Sequence, residues 1–206
     1  MTLATRSTAL AFVVAACSGS APQTRYYQLA TPAAVAPRDP MGSVLAVEPL
    51  TSEGAYDDER IVYRVGPVRL DYYQYHHWST TPGAMVGGYL QRALATSGKF
   101  RAVVGETTTD TAAVLGGRVV AIEEVDETAT RWSGHVAIEL TLTDPRTGEI
   151  VWSQTYEQRE PLATRTPEGL ARALGAAMDR IVDQAAPAIA ELANRQAHAR
   201  GVADRR

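Results

Sequence analysis

From His135 the chain alternates, with Val136, Ile138, Leu140 and Leu142 on one side of an extended backbone and His135, Ala137, Glu139, Thr141 and Thr143 on the other. A period of two marks a strand with one buried face. Asp144-Pro-Arg-Thr-Gly148 supplies turn chemistry, so Ile150 to Tyr156 is expected to return as the partner strand of a hairpin. Upstream, Val114 to Val125 predicts a long strand and Lys99 to Val104 a short one. Val44-Leu45-Ala46-Val47 is apolar at every position and ends at Glu48-Pro49, the pattern of a strand buried on both faces. Ile61 to Val65 and Val68 to Tyr75 are two further strands joined by the turn residues Gly66-Pro67.

Helical spacing replaces alternation in two places. Thr81-Pro82 offers an N-cap and a proline at the first helical position, followed by Met85, Tyr89, Leu90 and Leu94 on one face and a stop at Gly98. Gly87-Gly88 inside this helix costs about 1 kcal/mol per glycine relative to alanine, which points to close approach by a strand or a neighbouring subunit, the alternative being plain tolerance of poor helix formers. Thr166-Pro167-Glu168 repeats the cap, and Leu170, Leu174, Met178, Ile181 and Val182 form the second stripe. Pro187 is expected to kink or end that helix, with Ala188 to Ala197 resuming in solvent. Strands cluster around a helix instead of alternating with helices. The expected fold is therefore one α/β (α+β) domain over residues 43–197, a mixed, mostly antiparallel sheet with two main helices packed on one face. Residues 198–206 read as a frayed, charged tail.

The first residues follow neither period. Arg6 precedes an apolar run from Ala9 to Ala16, then comes Cys17, followed by Ser-Gly-Ser. This is the layout of a cleavable export signal, 1–16, and the run is shorter than the roughly 20 apolar residues that span a bilayer. Val14-Ala15-Ala16-Cys17 looks like a lipobox, with cleavage between Ala16 and Cys17 and lipid attachment at Cys17. Because Cys17 is the sole cysteine, no disulfide or cysteine-rich metal site forms within one chain. Residues 17–42 read as a tether that carries a short strand at 26–29 (Tyr26-Tyr27-Gln28-Leu29) and the Ala/Pro-rich stretch Thr31 to Pro40. Ser18 after the cysteine favours the outer membrane by likeness to sorted lipoproteins.

The formal net charge is -3, and losing Arg6 makes the remainder more acidic, so no basic surplus is available for nucleic acid. Gly87-Gly88 and Gly116-Gly117 lack the residues of a nucleotide loop, and no nucleophile elbow is present. His76-His77 would point to opposite faces of a strand, which argues against a shared metal. Glu123-Glu124-Asp126-Glu127 lacks calcium-loop spacing and reads as a solvated strand end. No catalytic residue, metal or cofactor is expected. The stretch Tyr72-Tyr73-Gln74-Tyr75-His76-His77-Trp78 differs in kind, because aromatics with a polar tip suit a partner surface. Tyr72, Tyr73, Tyr75, His77 and Trp78 are the candidate partner residues, with the alternative that alternate members belong to the core.

These features in order resemble the ABC-type transport auxiliary lipoproteins, the family of paraquat-inducible protein C. Cys17 stands at the lipidation position, and Tyr26-Tyr27-Gln28-Leu29 is similar to the opening strand. Leu45-Ala-Val-Glu-Pro49 and Asp58-Glu-Arg-Ile-Val-Tyr-Arg64 are similar to the next two. Tyr73 through Trp78 before Thr81-Pro82 resembles the strand-to-helix junction, and Asp144 through Trp152 the late hairpin. His77 departs from the pattern by standing where arginine is expected, and the signal has a sparse positive start. The resemblance implies a periplasmic, lipid-anchored, non-enzymatic component of an envelope lipid transporter. It would dock with an Mce-domain protein, a separate inner-membrane ATPase would supply energy, and a ring-like homo-oligomer is compatible with it. Two rivals stay open: an outer-membrane assembly or cell-wall-binding structural lipoprotein, and an anchored hydrolase using His76 or His77 with acidic residues.

Overall fold

The long alternating segments become two strands that organise everything else. The computed structural model describes residues 22–30 and 42–203. The predicted signal peptide 1–16, Ala16, Cys17 and the Ala/Pro-rich connector lie outside the described residues. In chain order the elements are β1 (Arg25–Tyr27), β2 (Val44–Val47), β3 (Thr51–Ser52), β4 (Arg60–Val65), β5 (Arg69–Trp78), α1 (Pro82–Thr96), β6 (Ala102–Val104), β7 (Thr111–Thr128), β8 (Arg131–Thr143), β9 (Ile150–Pro161) and α2 (Pro167–Ala203), with a 3-10 turn at Gly54–Tyr56.

On one side of β7 runs β8, antiparallel along nearly its whole length, and beyond it β9, which closes the expected hairpin. On the other side three short strands follow one another, all parallel to β7: β2 against its start, β3 at Arg118–Val119 and β4 at Glu123–Asp126. β6 adds outside β2, β5 adds antiparallel outside β4, and β1 adds parallel outside β5. The sheet is thus mixed. Its parallel pairings are short, and the long ladders are antiparallel. Gly117 shows why a glycine is fixed in this ladder: its φ is 146°, and a Cβ there would lie 2.0 Å from the Glu139 carbonyl oxygen on β8.

Both helices pack on one face. A Cβ on Gly134 would meet Ala173 and Leu174 of α2 at 3.2 Å, so the face carrying Gly134, Val136, Ile138, Leu140 and Leu142 is the one that α2 covers. These four apolar residues and the stripe Leu170, Leu174, Met178 and Ile181 are fully buried. Each such side chain contributes about 1.5–3 kcal/mol of hydrophobic stabilisation. In α1, Met85, Tyr89, Leu90 and Leu94 are buried as their spacing predicts. The caps differ, because Thr166 Oγ1 accepts the Gly169 N–H at 3.0 Å while the Thr81 side chain makes no cap bond. Gly87 lies against the β2–β3 connection: a Cβ there would sit 3.0 Å from Pro49 Cα and 3.1 Å from Leu50 N. At Gly87 the close approach is to this chain's own backbone.

Two expectations about α2 are corrected. Of the two alternatives at Pro187, ending the helix is ruled out, because the helix continues to Ala203, and Ile189, Ala190 and Ala193 beyond it are buried in the core, not in solvent. Proline is exposed on the outer side here, and the apolar contacts on the inner side hold the following turns in place. Arg200, expected in a frayed tail, is helical and donates to the Thr111 and Ala112 carbonyls at the start of β7. Among the described residues no helix is long and apolar enough to cross a membrane.

Candidate partner surface

β1 and β5 form an aromatic corner of the sheet, with Tyr26 opposite His77 and Tyr27 opposite Trp78. Neighbouring strand residues point to opposite faces, so the corner has two unlike sides. Toward the start of α2, the Tyr27 hydroxyl and His76 Nδ1 share a 2.8 Å hydrogen bond. The Tyr73 ring meets His76 edge-on at 5.7 Å and Tyr63 at 5.1 Å, and its hydroxyl donates to Glu124 Oε2 at 3.0 Å. Burial first, and the Glu124 charge second, push the Tyr73 phenol up.

The opposite side faces solvent. Tyr26 is 63% exposed and stands edge-on to His77 with ring centroids 5.8 Å apart. The Arg60 guanidinium lies 4.2 Å from the centre of the Tyr72 ring, a cation–π contact. Arg60 in turn forks onto Asp58, with Nη2 at 2.7 Å and Nε at 3.1 Å from Oδ2. That side-chain hydrogen bond is the main reason the Asp58 carboxyl is held below its usual range. Tyr26, His77, Tyr72 and Arg60 therefore form a half-exposed strip held in place by their own contacts.

The five residues expected to make one surface separate into four groups. Tyr72 and His77 belong to the solvent-facing strip, while Tyr73 turns to the other side. Tyr75 is half-buried within the irregular register between β4 and β5. Trp78 is corrected outright: it is 1% exposed and part of the main core, because it ends β5 where its backbone N–H is taken up by the Glu59 carbonyl. Sequence reasoning missed Tyr26 and Arg60 as surface partners. Their signal existed in the strand patterns around them, but only the β1–β5 and β4–β5 registers bring them beside His77 and Tyr72.

The two histidines do not converge on a shared carboxylate, since His76 bonds to Tyr27 on one side and His77 meets Tyr26 edge-on on the other. A cluster of different origin lies nearer the middle of the sheet. Glu123 and Glu124, expected at a solvated strand end, are fully buried. Glu123 takes hydrogen bonds from Arg64 Nε at 2.8 Å and the Tyr56 hydroxyl at 2.7 Å, and lies 3.0 Å from His135 Nδ1. His135 Nε2 reaches Glu157 at 2.9 Å, so one polar row crosses β4, β7, β8 and β9. Burial alone would raise the Glu123 carboxyl, but the hydrogen bonds from His135, Arg64 and Tyr56 outweigh it and pull the value down to about 2. The row is fully paired and structural in character. Among the described residues no group of three His, Cys, Asp or Glu is arranged to hold a metal ion.

A family model described as ABC-type transport auxiliary lipoprotein component matches residues 27–186. Among solved structures, a DUF330-family protein from Xanthomonas campestris is 18% identical, with a TM-score of 0.71 over 84% of this chain and 99% of its own. A second, uncharacterized protein is 15% identical, with a TM-score of 0.65 over 82% of this chain and 99% of its own. At these identities the likeness is one of fold. No curated protein matches the chain. The family description is of an auxiliary transport component and names no catalysed reaction. Its match runs from the end of β1 through the first half of α2, and on that match the chain belongs to the ABC-type transport auxiliary lipoprotein family.

Proposed function

We propose that this protein is the periplasmic, lipid-anchored auxiliary component of an Mce-type ABC lipid transport system, and that it binds an Mce-domain partner through the solvent-facing side of the β1–β5 corner. The observation that carries this reading is the strip Tyr26, His77, Tyr72 and Arg60, in which a 63%-exposed tyrosine sits beside an arginine–tyrosine stack. Tyrosine and arginine dominate interface energetics when a partner desolvates them. Removal of residues 1–16 and acylation of Cys17 hold the strip near a membrane, the outer one by the Ser18 signal. Tyr26 lies only nine residues beyond Cys17, a reach of at most about 30 Å. The domain serves as an anchored docking part while a separate ATPase supplies energy.

The test is recovery of partners from the envelope by affinity capture after mild crosslinking. Wild type, Cys17→Ser and a Tyr26→Ala/Tyr72→Ala double variant are compared, and proteins are identified by mass spectrometry. Wild type is expected to bring down an Mce-domain protein and its permease, and the double variant markedly less of both with its folding unchanged. Recovery of assembly or cell-wall factors alone would reject the transporter reading in favour of a structural lipoprotein.

A further inference from the structure

Where β7 turns into β8, the end of the sheet and the segment leading to α2 enclose a pocket of about 420 Å³. Its lining combines Arg131, Arg159 and Arg165 with Trp132 and Leu162, and Glu127 is the one carboxylate among the lining residues. Arg165 is fixed in place: its guanidinium lies 4.8 Å from the Trp132 ring centre, Nε donates to Glu124 at 3.1 Å, and Nη2 donates to both oxygens of Asp126. Those bonds leave the Nη1 hydrogens unused. Arg131 makes no ion pair among the described residues, and Arg159 has only a long 3.5 Å contact with an exposed Glu157 oxygen. Ser133, 2% exposed, also lines the pocket, and its buried Oγ has no hydrogen-bond partner among the described residues. Buried hydroxyls are seldom left this way.

We propose that this pocket binds a phosphate oxyanion carried on an apolar body, the chemistry of an anionic phospholipid headgroup and the glycerol and methylenes next to it. Guanidinium forks match phosphate oxygens in geometry and charge. Trp132 and Leu162 give the adjoining apolar portion a surface to cover, and the volume lies in the range of small-ligand pockets. The source of the ligand rests on the lipid-transport reading, whereas the ligand chemistry rests on the pocket alone. The site shares no lining residue with the Tyr26–Tyr72 strip, although Arg165 also borders the hollow beside Tyr72.

The experiment is calorimetric titration of the full-length lipoprotein in an uncharged detergent. The probes are dihexanoyl phosphatidylglycerol, dihexanoyl phosphatidylcholine and inorganic phosphate. Arg131→Gln and Trp132→Leu are the variants, with thermal melting confirming that each is folded. Saturable binding of the phosphatidylglycerol is expected, with weaker binding of the zwitterionic phosphatidylcholine, little competition from inorganic phosphate, and a loss on the order of tenfold in Arg131→Gln. Absence of saturable binding, equal affinity in folded Arg131→Gln, or full competition by inorganic phosphate would overturn the proposal, the last by removing its apolar half. Partner capture run on the same protein separates the two readings. Capture of an Mce-domain protein without phosphatidylglycerol binding sinks only the pocket, and binding without capture sinks only the transporter.

Discussion

Glu123 and Glu124 are adjacent on β7, both fully buried, and their carboxyls are driven in opposite directions. Glu123 faces the row of Arg64, Tyr56 and His135, whose hydrogen bonds overcome its burial and bring it to about 2. Glu124 faces Tyr73 and Arg165. There burial is the larger effect, and their hydrogen bonds only partly offset it, so its carboxyl is raised. A strand's alternation thus gives two identical side chains unlike surroundings.

Stability should follow these directions with pH. Glu123 has a folded value below the unfolded one of about 4.3. Its stabilisation is therefore complete above roughly pH 5 and disappears as pH falls toward 2. Glu124 acts in the other sense: the folded state holds its proton more tightly, so ionisation above the ordinary carboxylate range subtracts stability. Glu123→Gln is expected to cost about 3 kcal/mol at pH 7, because it strips a buried partner from Arg64 and His135, and the gap from wild type should close on acidification. Glu124→Gln should cost about 1 kcal/mol or less. Urea unfolding at several pH values measures both, and equal losses at pH 7 would contradict the assignment.

Trp78 and Tyr26 sit at neighbouring points of the aromatic corner but answer to different forces. Trp78→Ala removes a fully buried ring and should destabilise by about 3–5 kcal/mol. Tyr26→Ala removes a mostly exposed one and should change stability by no more than about 0.5 kcal/mol. Thermal melting distinguishes them. A large loss from Tyr26→Ala would place that ring in the core and remove it from the partner surface.

Much of the fold was legible because its signals are local. The β8–β9 hairpin follows from alternation plus Asp144–Gly148, β2 from four apolar residues in a row, and both helical stripes from their spacing. The family followed from the order of several such pieces, and the match over residues 27–186 bears it out. The candidate site was less legible. Tyr26 and His77 are far apart in sequence and meet only through a parallel register. Glu123 is an acidic residue within an acidic run, and nothing nearby announces that Arg64, His135 and Tyr56 converge on it from other elements. Trp78 closes an aromatic stretch whose composition suits a surface, yet its position at the strand end delivers it to the core.

Gly87 and Gly88 should part company on substitution, although both are poor helix formers. A Cβ at Gly87 meets the backbone of Pro49 and Leu50, which cannot swing aside. Gly87→Ala is expected to destabilise by about 1–3 kcal/mol through overpacking. At Gly88 the nearest atom is the far end of the Arg92 side chain, at 3.4 Å, which can move. Gly88→Ala should therefore gain up to about 1 kcal/mol from helix propensity. Opposite shifts in melting temperature are the expected result, and a loss at both positions would mean that the Gly88 face is also covered.

Pro187 interrupts α2 without ending it, and the reason is on the far side of the helix. Proline offers no N–H to the Asp183 carbonyl, and its ring crowds that oxygen, a cost of about 3 kcal/mol in a helix interior. Ile189, Ala190 and Ala193 are buried after it, Asn194 Oδ1 accepts the Ser43 N–H at 3.0 Å, and Arg200 reaches the Thr111 and Ala112 carbonyls. These contacts hold the distal turns to the start of β2 and β7 independently of the missing bond. Pro187→Ala should raise stability by about 1–3 kcal/mol, since the exposed position admits alanine without a clash. Arg200→Ala should leave global unfolding nearly unchanged while amide exchange quickens beyond Asn194, the mark of a locally opening end. If Pro187→Ala destabilises instead, the proline geometry is what directs the distal turns onto β7, and helix propensity is the smaller effect.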